Sequence, residues 1–587
     1  MCGIVGYKGS QNAIPVLISG LESLEYRGYD SAGVAFKSAK KVKIVKNIGK
    51  VSNLKNALKE GESSNVGIAH TRWATHGKVS TENSHPHKVG KITIVHNGII
   101  ENYADLKKEL ENEWYKFQSE TDTEILCGLI DKIYQAEKSV LKALNKIKDL
   151  VHGSYALLVM CDDNLDELYG VRCNSPLIVA VKDDEFYLAS DVPAILKYTN
   201  KYMLLDNNDI VKINDKLTFY NSNLEKITKE IKIFEGDSND AIKNGYEHYM
   251  LKEINEEPVV VQNILNYYLT DGKFNSNMPD FKKYNKIFIV GCGSACYTAD
   301  ISKFLFEKYL NVPVSVYLAS EYRYQKLFYD KDTLVIFISQ SGETADTLEA
   351  LRKTKEDGID TLAIVNVVES SIAREADIAL YIKAGVEIAV ATTKAFTAQL
   401  TLLALLVLKM AGQEAELKYF YQVPSVLERI LKMDYKKYAE KIYKHENAFF
   451  IGRQIDFGLC EEGSLKLKEI SYINSSAFPS GELKHGTISL ITENTPVISI
   501  VSDEDITLKT ISNVKEVKAR GAYSLCLTNQ DIEGDFYDDK IVIENIHPIV
   551  NSILLVMPLQ LLAYHVAYLR GLDIDKPRNL AKSVTVE

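Results

Sequence analysis

Short runs of alternating or β-branched apolar residues dominate roughly the first 235 residues of the chain. Two segments among them, Asn12–Leu24 and Thr123–Ile133, have the spacing of amphipathic helices. Many strands with few helices are typical of a layered α+β domain with largely antiparallel sheets. The predicted strands are Gly3–Tyr7, Ser31–Phe36, Gly67–His70, Ile92–His96, Tyr155–Met160 and Leu177–Val181.

Beyond a polar, turn-rich stretch at Phe234–Gly245, the pattern changes to strand, glycine turn, helix, strand. This rhythm is typical of a parallel, doubly wound α/β sheet of the flavodoxin-like kind. Its predicted strands are Lys286–Val290, Val314–Tyr317 and Leu334–Ile338.

The rhythm then occurs a second time. Ala448–Ile451 repeats Ile287–Val290 at an offset of 161 residues (from Val290 to Ile451), and Val497–Ser502 repeats Leu334–Ser339. Two tandem copies of one α/β unit are therefore predicted. The predicted domains are 2–235 for the α+β domain, 236–250 for a linker, 251–425 for the first α/β copy and 426–587 for the second.

Ser552–Leu569 is strongly apolar and nearly long enough to span a bilayer, and Thr397–Leu408 is a second, shorter apolar stretch. The first contains Pro558, Gln560 and His565, and neither of its flanks is typical of a membrane anchor. We interpret both stretches as helices buried in a large domain. The first residues lack the charged and apolar regions of a signal peptide, which favours a cytoplasmic protein.

Composition narrows the class of protein further. The chain has 587 residues and a formal net charge of -10, so several domains are expected and a general affinity for nucleic acid is not. Its eight cysteines are scattered without CxxC pairs, which is typical of reduced thiols in a reducing compartment.

Cys2 is the first candidate for chemistry. Removal of Met1 would place a thiol and a free α-amine on the same residue, and an amine with a pKa of about 7.7–8.0 can act as base toward that thiol. The alternative interpretation is that Cys2 is a small buried hydrophobe.

A glutamine amidase needs partners for its substrate as well as a nucleophile. Arg72 offers a bidentate fork for the α-carboxylate, Asp122 an anion for the α-amine, and Asn97 with Gly98 two donors for the oxyanion. Taken singly, each has another explanation. Arg72 could form a surface ion pair, Asp122 could cap a helix, and Asn97-Gly98 could be a hairpin turn.

Five motifs occur in order: CGIVGY, EYRGYDSAG, HTRWATHG, HNGIIEN and SETDTE. Together they resemble the class II glutamine amidotransferase domain of the N-terminal nucleophile family. This resemblance implies that Cys2 attacks the glutamine amide, ammonia leaves, and water hydrolyses the glutamyl thioester. It also implies that Trp73 and His76 help to form and close the site. His70, His85 and His87 have no carboxylate at ligand spacing, so we expect them to be structural and expect no metal.

The ammonia acceptor must be sought in the second half. We find neither the acidic pair of a phosphoribosyltransferase nor an ATP-pyrophosphatase loop. Instead, Ser339-Gln340-Ser341-Gly342-Glu343-Thr344 ends a predicted strand and opens a helix, which makes a phosphate cradle without the lysine of a nucleotide loop. A serine-rich helix cap is the alternative. This motif, GCGSA and the tandem repeat resemble the sugar isomerase (SIS) fold. In the second copy, the acidic segment Ser502–Asp505 occupies the position of the cradle and would repel a phosphate, so one sugar-phosphate loop per chain is expected, in the first copy.

The second copy carries different groups. Glu462, Lys466 and Glu469 share one helical face, although such spacing usually means a solvated ion-paired stripe. His485 lies in a glycine-flanked loop, and Lys582 lies in a short C-terminal tail.

The whole chain resembles the bacterial-type glutamine–fructose-6-phosphate aminotransferase (isomerizing) family. The motifs that carry the resemblance are YEHYMLKEI, SQSGETADT, TTKAFTAQL, EGSLKLKEISYI, GELKHG and PRNLAKSVTVE. It implies L-glutamine and D-fructose 6-phosphate as substrates, and L-glutamate and D-glucosamine 6-phosphate as products, on the way to UDP-N-acetylglucosamine. It implies no cofactor, and a homodimer in which the His485 loop completes the neighbouring subunit's site.

The same resemblance implies individual roles. His485 moves the proton of ring opening, Lys582 forms a Schiff base with the C2 ketone, and Glu469 moves a proton between C1 and C2. Lys466 polarises a hydroxyl of the sugar, and Glu462 serves as an orienting or relay group. Trp73 gates an ammonia channel, with the C-terminal tail as its lid. The implied contacts of the sugar phosphate are Gly293, Ser294, Ser339, Gln340, Ser341, Thr344, Thr392 and Ala581.

Two positions depart from the family pattern. Ala295 stands where a hydroxyl residue is usual, so one hydrogen bond to the sugar phosphate is in doubt. Thr487 stands where proline is common, which would loosen the His485 loop. Two other functions fit the sequence less well: a deglycating paralogue would lack the Cys2 domain, and a sugar-phosphate sensor would not need Lys582, Glu469 and His485 together.

Overall fold

The computed structural model describes residues 2–74, 77–234 and 243–585. The chain divides into two compact units, residues 1–242 together with 581–587, and residues 243–580. Residues 235–242, which include the start of the predicted linker, lie outside the described part. The four ranges given above, three domains and a linker, stay predictions.

The N-terminal unit is built from two antiparallel sheets. Its strands are β1 (Gly3–Lys8), β2 (Ser31–Ser38), β3 (Lys41–Ile48), β4 (Val66–Arg72), β5 (His87–Val89), β6 (Ile92–Ile100), β7 (Gly153–Cys161), β8 (Asn164–Cys173), β9 (Ile178–Lys182), β10 (Glu185–Ala189), β11 (Lys201–Leu204), β12 (Ile210–Ile213), β13 (Leu217–Tyr220), β14 (Lys226–Ile227) and β15 (Lys232–Ile233). One sheet has the order β15-β11-β9-β10-β1-β4-β2-β3, and the other β14-β13-β12-β8-β7-β6-β5.

Helices cover the outer faces of this pair of sheets. They are α1 (Ala13–Leu24), α2 (Val51–Ala57), α3 (Tyr103–Asn112), α4 (Asp122–Glu137) and α5 (Val140–Ile147), with short 3-10 turns at Glu25–Arg27 and Val192–Ala194. Alternate residues of β1, β4 and β7 meet in a dry core between the sheets, and α3, α4 and α5 pack on the other face of β6 and β7. The predicted layered α+β architecture is thus confirmed.

The C-terminal unit contains two five-stranded parallel sheets. Its strands are β16 (Leu269–Thr270), β17 (Lys273–Phe274), β18 (Lys286–Gly291), β19 (Val314–Leu318), β20 (Thr333–Ser339), β21 (Asp360–Val365), β22 (Ile378–Tyr381), β23 (Asn447–Gly452), β24 (Asn474–Pro479), β25 (Pro496–Val501), β26 (Tyr523–Thr528) and β27 (Asp539–Val542). The two orders, β19-β18-β20-β21-β22 and β24-β23-β25-β26-β27, are the same when counted within each copy.

The helices of this unit repeat as well. They are α6 (Tyr249–Tyr268), α7 (Ser294–Leu310), α8 (Ala319–Tyr322), α9 (Ala345–Glu356), α10 (Ser371–Glu375), α11 (Lys394–Ala411), α12 (Val423–Ile430), α13 (Lys436–Ile442), α14 (Ile455–Ser471), α15 (Thr507–Lys518) and α16 (Pro548–Leu569), with 3-10 helices at Glu414–Gln422, Glu482–His485 and Thr487–Leu490. α14 follows α7 at an offset of 161 residues (from Ser294 to Ile455). The two equivalent helices pack against each other so closely that a Cβ on Gly458 would lie 2.6 Å from the Ile301 side chain.

The two apolar helices α11 and α16 lie inside this unit. Both are long and apolar enough to cross a membrane, but 83% of the α11 window and 94% of the α16 window are buried. They contribute to one hydrophobic core that both copies share. This confirms the interpretation of both stretches as core helices.

Candidate active site

Cys2 lies at the edge of the central strand pair of the N-terminal unit. β1 runs antiparallel to β4, with Gly3 opposite Thr71, so Cys2 faces the residues that follow β4. Its Sγ accepts a hydrogen bond from the Trp73 backbone N–H at 3.2 Å. A side chain at Gly3 would lie 2.7 Å from the Thr71 hydroxyl, so glycine is needed beside the thiol.

The environment of the thiol has opposing effects on its pKa. Burial raises the pKa of Cys2, whereas the hydrogen bond from Trp73 and the nearby Arg72 guanidinium lower it, and Asp30 raises it. The net result is a thiol whose pKa lies above its ordinary value. A base is therefore needed to form the thiolate, which is what a free α-amine on the same residue would provide.

Arg72 is the last residue of β4 and is buried. Its guanidinium donates to the carbonyl oxygens of Gly77 at 3.2 Å and Lys78 at 3.3 Å. Burial lowers the pKa of Arg72, and the anionic groups around it, among them Asp30 and Asp122, raise it in part. Because Arg72 is buried, the alternative that it forms an ion pair at the surface is wrong.

Asp122 is the first residue of α4, and Thr121 caps that helix by accepting from Glu124 N. The Asp122 carboxylate instead accepts the Ile100 N–H at 2.9 Å, at the end of β6. The helix-cap alternative for Asp122 is thus wrong, and its carboxylate is held beside the strand that carries Asn97.

Asn97 and Gly98 lie within β6 and not in a hairpin turn. The Asn97 side-chain amide donates to the Cys2 carbonyl oxygen at 2.9 Å, which brings the predicted oxyanion donor to the nucleophile. Gly98 has φ +132, and a Cβ there would lie 2.0 Å from the Ser154 carbonyl oxygen, so only glycine fits. His76 lies outside the described residues.

The three histidines are buried near this site. The His70 and His85 rings stack at 3.9 Å, and burial lowers the pKa of His70 to about 3. His87 and His85 approach the hydroxyls of Thr121 and Thr123 at 3.2 and 3.4 Å. Their contacts are those of packed structural side chains. Among the described residues, no group of three or more metal-binding side chains occurs.

The sequence interpretation missed one contributor to this site, Asp30. Its carboxylate accepts the Ala74 N–H at 2.9 Å and thereby fixes the chain directly after Trp73. Asp30 lies in the EYRGYDSAG motif, and that motif is the sequence signal from which its place in the site could have been predicted.

The predicted phosphate cradle forms a single turn between β20 and α9. The Ser339 and Thr344 hydroxyls are 2.9 Å apart, Gly342 N donates to Ser339 Oγ at 3.1 Å, and Glu343 N donates to Ser341 Oγ at 3.2 Å. The Gln340 carbonyl oxygen accepts from Asn366 N at 3.0 Å. The turn therefore presents three hydroxyls at the N-terminus of a twelve-residue helix.

Ser294 begins α7 directly after Gly293, which has φ +54. Ser294 lies close enough to Glu462 on α14 to lower the pKa of that carboxyl, so the two copies meet at these side chains. Thr392 lies in the segment that leads into α11.

Glu462, Lys466 and Glu469 do share one face of α14, and that face is largely buried, with only Glu469 partly exposed. The Lys466 ammonium lies 2.7 Å from Glu469 and 3.4 Å from Glu462, and Lys466 and Glu462 are fully buried. Burial raises the pKa of Glu462 to about 7, with Lys466 opposing that rise. Burial lowers the pKa of Lys466, but the two carboxylates outweigh this and raise it overall. Such groups have the character of an acid–base site.

His485 and Lys582 are the two remaining predicted catalytic residues of the sugar site. His485 ends an exposed 3-10 helix and precedes Gly486, which has φ +150. Ala581 and Lys582 belong to the N-terminal unit, whereas the trio belongs to the other. The structure thus brings together Cys2 with its partners, and the cradle residues with one another.

Comparison with known proteins agrees with this arrangement. A family model described as a glutamine amidotransferase domain matches residues 70–197, and one described as a SIS domain matches residues 280–409 and 441–570. The fold and the site thus define a glutamine amidotransferase joined to a double SIS unit.

Relatives that match this chain over its full length identify a particular family within this class. The glutamine–fructose-6-phosphate aminotransferases (isomerizing) of Clostridium tetani and Aquifex aeolicus are 45% and 43% identical to this chain, with 100% of each chain covered. A solved structure, the C-terminal domain of glucosamine-fructose-6-phosphate aminotransferase from Francisella tularensis, is 39% identical. It covers 57% of this chain and 99% of its own, with a TM-score of 0.54. This chain belongs to the glutamine–fructose-6-phosphate aminotransferase (isomerizing) family.

Proposed function

We propose that this enzyme transfers the amide nitrogen of L-glutamine to D-fructose 6-phosphate and isomerises the product to D-glucosamine 6-phosphate, releasing L-glutamate. The observation that carries the proposal is the pairing of two sites in one chain. The first is a thiol held by Trp73 N–H beside the Asn97 amide. The second is the Glu462–Lys466–Glu469 trio, with Glu462 and Lys466 buried, in the same unit as the phosphate cradle.

In the first reaction, the Cys2 thiolate attacks the amide carbon and the C–N bond breaks as ammonia leaves. Asn97 and the Gly98 N–H stabilise the oxyanion, Arg72 binds the α-carboxylate and Asp122 the α-amine. Water then hydrolyses the thioester to glutamate and restores the thiol. Trp73 and His76 close this site, and Trp73 gates the path of the ammonia.

In the second reaction, the cradle holds the phosphate of the sugar while His485 moves the proton that opens its ring. The bound phosphate contacts Gly293, Ser294, Ser339, Gln340, Ser341, Thr344, Thr392 and Ala581. Lys582 condenses with the C2 ketone, and ammonia displaces it there. Glu469 then moves a proton from C1 to C2, which gives the aldose. Lys466 polarises an adjacent hydroxyl of the sugar, and Glu462 is an orienting or relay group.

We further propose a homodimer in the cytoplasm. The exposed position of His485 supports its use by a neighbouring subunit, since a residue needed for chemistry is otherwise expected within its own site. The eight free cysteines support a reducing compartment.

The test is to incubate the enzyme with glutamine and fructose 6-phosphate and to follow the products by NMR. Equal amounts of glutamate and glucosamine 6-phosphate are expected from the wild type and from Cys173→Ala, and neither product from Cys2→Ala. Glutamate without amino sugar would mean that the acceptor is wrong, and other keto-sugar phosphates would then be tried with wild type and Ala295→Ser.

A further inference from the structure

The segment 387–393 joins β22 to α11 and carries Thr392, a proposed contact of the sugar phosphate. It has no regular secondary structure, so its buried N–H groups need partners elsewhere. Glu253 on α6 accepts two of them, from Ile388 at 2.5 Å and from Ala389 at 3.1 Å. One buried carboxylate on a neighbouring helix thus holds the first half of the segment.

The rest of the segment is held from two other places. Val390 N donates to the Asp575 carbonyl oxygen at 3.0 Å. Glu387 accepts from the N–H groups of Thr393 and Ala395, each at 3.0 Å, and so closes the segment onto the start of α11.

Asp575 also fixes the helix that carries Glu253. Its carboxylate accepts from Tyr249 N at 2.9 Å and Met250 N at 3.0 Å, which caps α6, and it pairs with Lys243 at 3.2 Å. Asp575 therefore acts on the segment twice, directly through its carbonyl oxygen and indirectly through α6.

We propose that Glu253 and Asp575 are positioning residues for the sugar phosphate, which fix segment 387–393 in the conformation that binds it. This rests on the proposed function, because that function makes the segment a sugar contact. Neither side chain touches the reacting atoms in this role. They act by preorganising the backbone, so that binding does not have to order it.

The same placement bears on Lys582. Asp575 lies seven positions before Lys582 in the chain. Asp575 therefore both holds segment 387–393 and lies at the start of the C-terminal segment that carries Lys582, the proposed Schiff-base lysine.

The test compares Glu253→Gln and Asp575→Asn with the wild type. We expect the KM for fructose 6-phosphate to rise by about tenfold or more in each, because bonds to a charged acceptor are weakened. The KM and kcat for glutamine hydrolysis without sugar should stay within about twofold of wild type. Hydrogen–deuterium exchange of a peptide spanning residues 384–393 should become faster in both variants.

Glu256→Gln is the matched control. It makes the same change one turn along α6, where the carboxylate pairs with the side chains of Lys394 at 2.7 Å and Lys252 at 3.3 Å. It should leave the KM for fructose 6-phosphate and the exchange of the peptide near wild type.

Three results would overturn the proposal: unchanged exchange of the peptide, faster exchange with an unchanged KM for the sugar, or an equal loss of both half-reactions. If Glu253→Gln does not fold, Asp575→Asn decides alone. Absence of amino sugar from the wild type would count against the proposed function instead, and the exchange measurement would still decide whether Glu253 holds the segment.

Discussion

At the scale of single residues, Asn97 offers the sharpest test of the amidase site. Its amide donates to the Cys2 carbonyl oxygen at 2.9 Å, so the donor is held beside the nucleophile. We expect Asn97→Ala to lower kcat for glutamine hydrolysis by about 10²–10³-fold, because a preorganised oxyanion donor is lost. The rate of glutamate release without sugar measures this. Asn102→Ala, which also loses a 2.9 Å bond to a carbonyl, is the control. A wild-type kcat in Asn97→Ala would assign the oxyanion to other donors.

Glu257 on α6 is predicted to make stability depend on pH. It is wholly buried, and burial raises its pKa to about 8, with Thr397 and Gln560 opposing. An unfolded glutamate has a pKa of about 4.3. Because the folded state keeps a proton that the unfolded state releases, stability falls as the pH rises from about 4.5 to about 8, and this contribution is constant above.

Glu257→Gln removes this dependence, since an amide does not ionise. Relative to wild type, the variant should gain about 1.4 kcal/mol of unfolding free energy per pH unit across that window. Denaturant unfolding at several pH values between 5 and 8 measures the difference. The exposed Glu247→Gln should show no such trend. A difference between Glu257→Gln and wild type that does not vary with pH would contradict the argument.

At the scale of elements, the turn between β20 and α9 depends on Gly342. It has φ +64, and a Cβ there would lie 1.9 Å from the Ser370 hydroxyl. We expect Gly342→Ala to displace the turn and raise the KM for fructose 6-phosphate by at least about tenfold, with glutamine hydrolysis unaffected. Coupled assays of both half-reactions measure this.

Gly358→Ala provides the control for backbone strain alone. Gly358 has φ +72, but a Cβ there meets no atom within 4 Å. It should cost roughly 1–2 kcal/mol of stability without changing the KM. An equal rise of KM in the two variants would mean that the cradle geometry is not what limits binding.

The sequence was most informative for elements with a strong local signal. The strand–turn–helix at Ser339–Thr344 and the helical face of Glu462, Lys466 and Glu469 follow from hydrophobic periodicity and turn residues. The environment of the helical face does not, because burial of Glu462 and Lys466 depends on packing between α14 and residues far away in the chain.

Some functional contacts carried no local signal at all. Glu253 and Asp575 meet segment 387–393 only because the fold brings α6 and the C-terminal segment to it. On the sequence alone, Glu253, Glu256 and Glu257 resemble the charged face of an exposed helix. Nothing in their spacing separates a carboxylate that accepts backbone N–H groups from one that pairs with lysine.

At the scale of the whole molecule, the two α/β copies have the same strand order but different chemistry. After β20, hydroxyls and backbone N–H groups form a cradle, whereas after β25 the Ser502 N–H donates to Asp456 at 2.9 Å. A buried carboxylate therefore occupies, in the second copy, the end of the strand where the first copy has the proposed phosphate cradle, which agrees with the prediction of one sugar phosphate per chain. His485 in the second copy is exposed, which is consistent with its proposed use by a neighbouring subunit.

Use of His485 by a neighbouring subunit predicts complementation between two inactive variants. His485→Ala and Glu469→Gln, co-expressed with different tags and purified as a heterodimer, should synthesise glucosamine 6-phosphate at about half the wild-type rate. One of the two sites would combine an intact Glu469 with an intact His485 from the other subunit. The second site would carry both changes and be inactive.

The two homodimeric variants are the controls, and each should make little amino sugar while hydrolysing glutamine normally. If His485 acted within its own subunit, each site of the heterodimer would carry one change, and the heterodimer would be as inactive as its parents. The rate of the heterodimer therefore decides between the two arrangements, because both contain the same residues and differ only in which chain supplies the histidine.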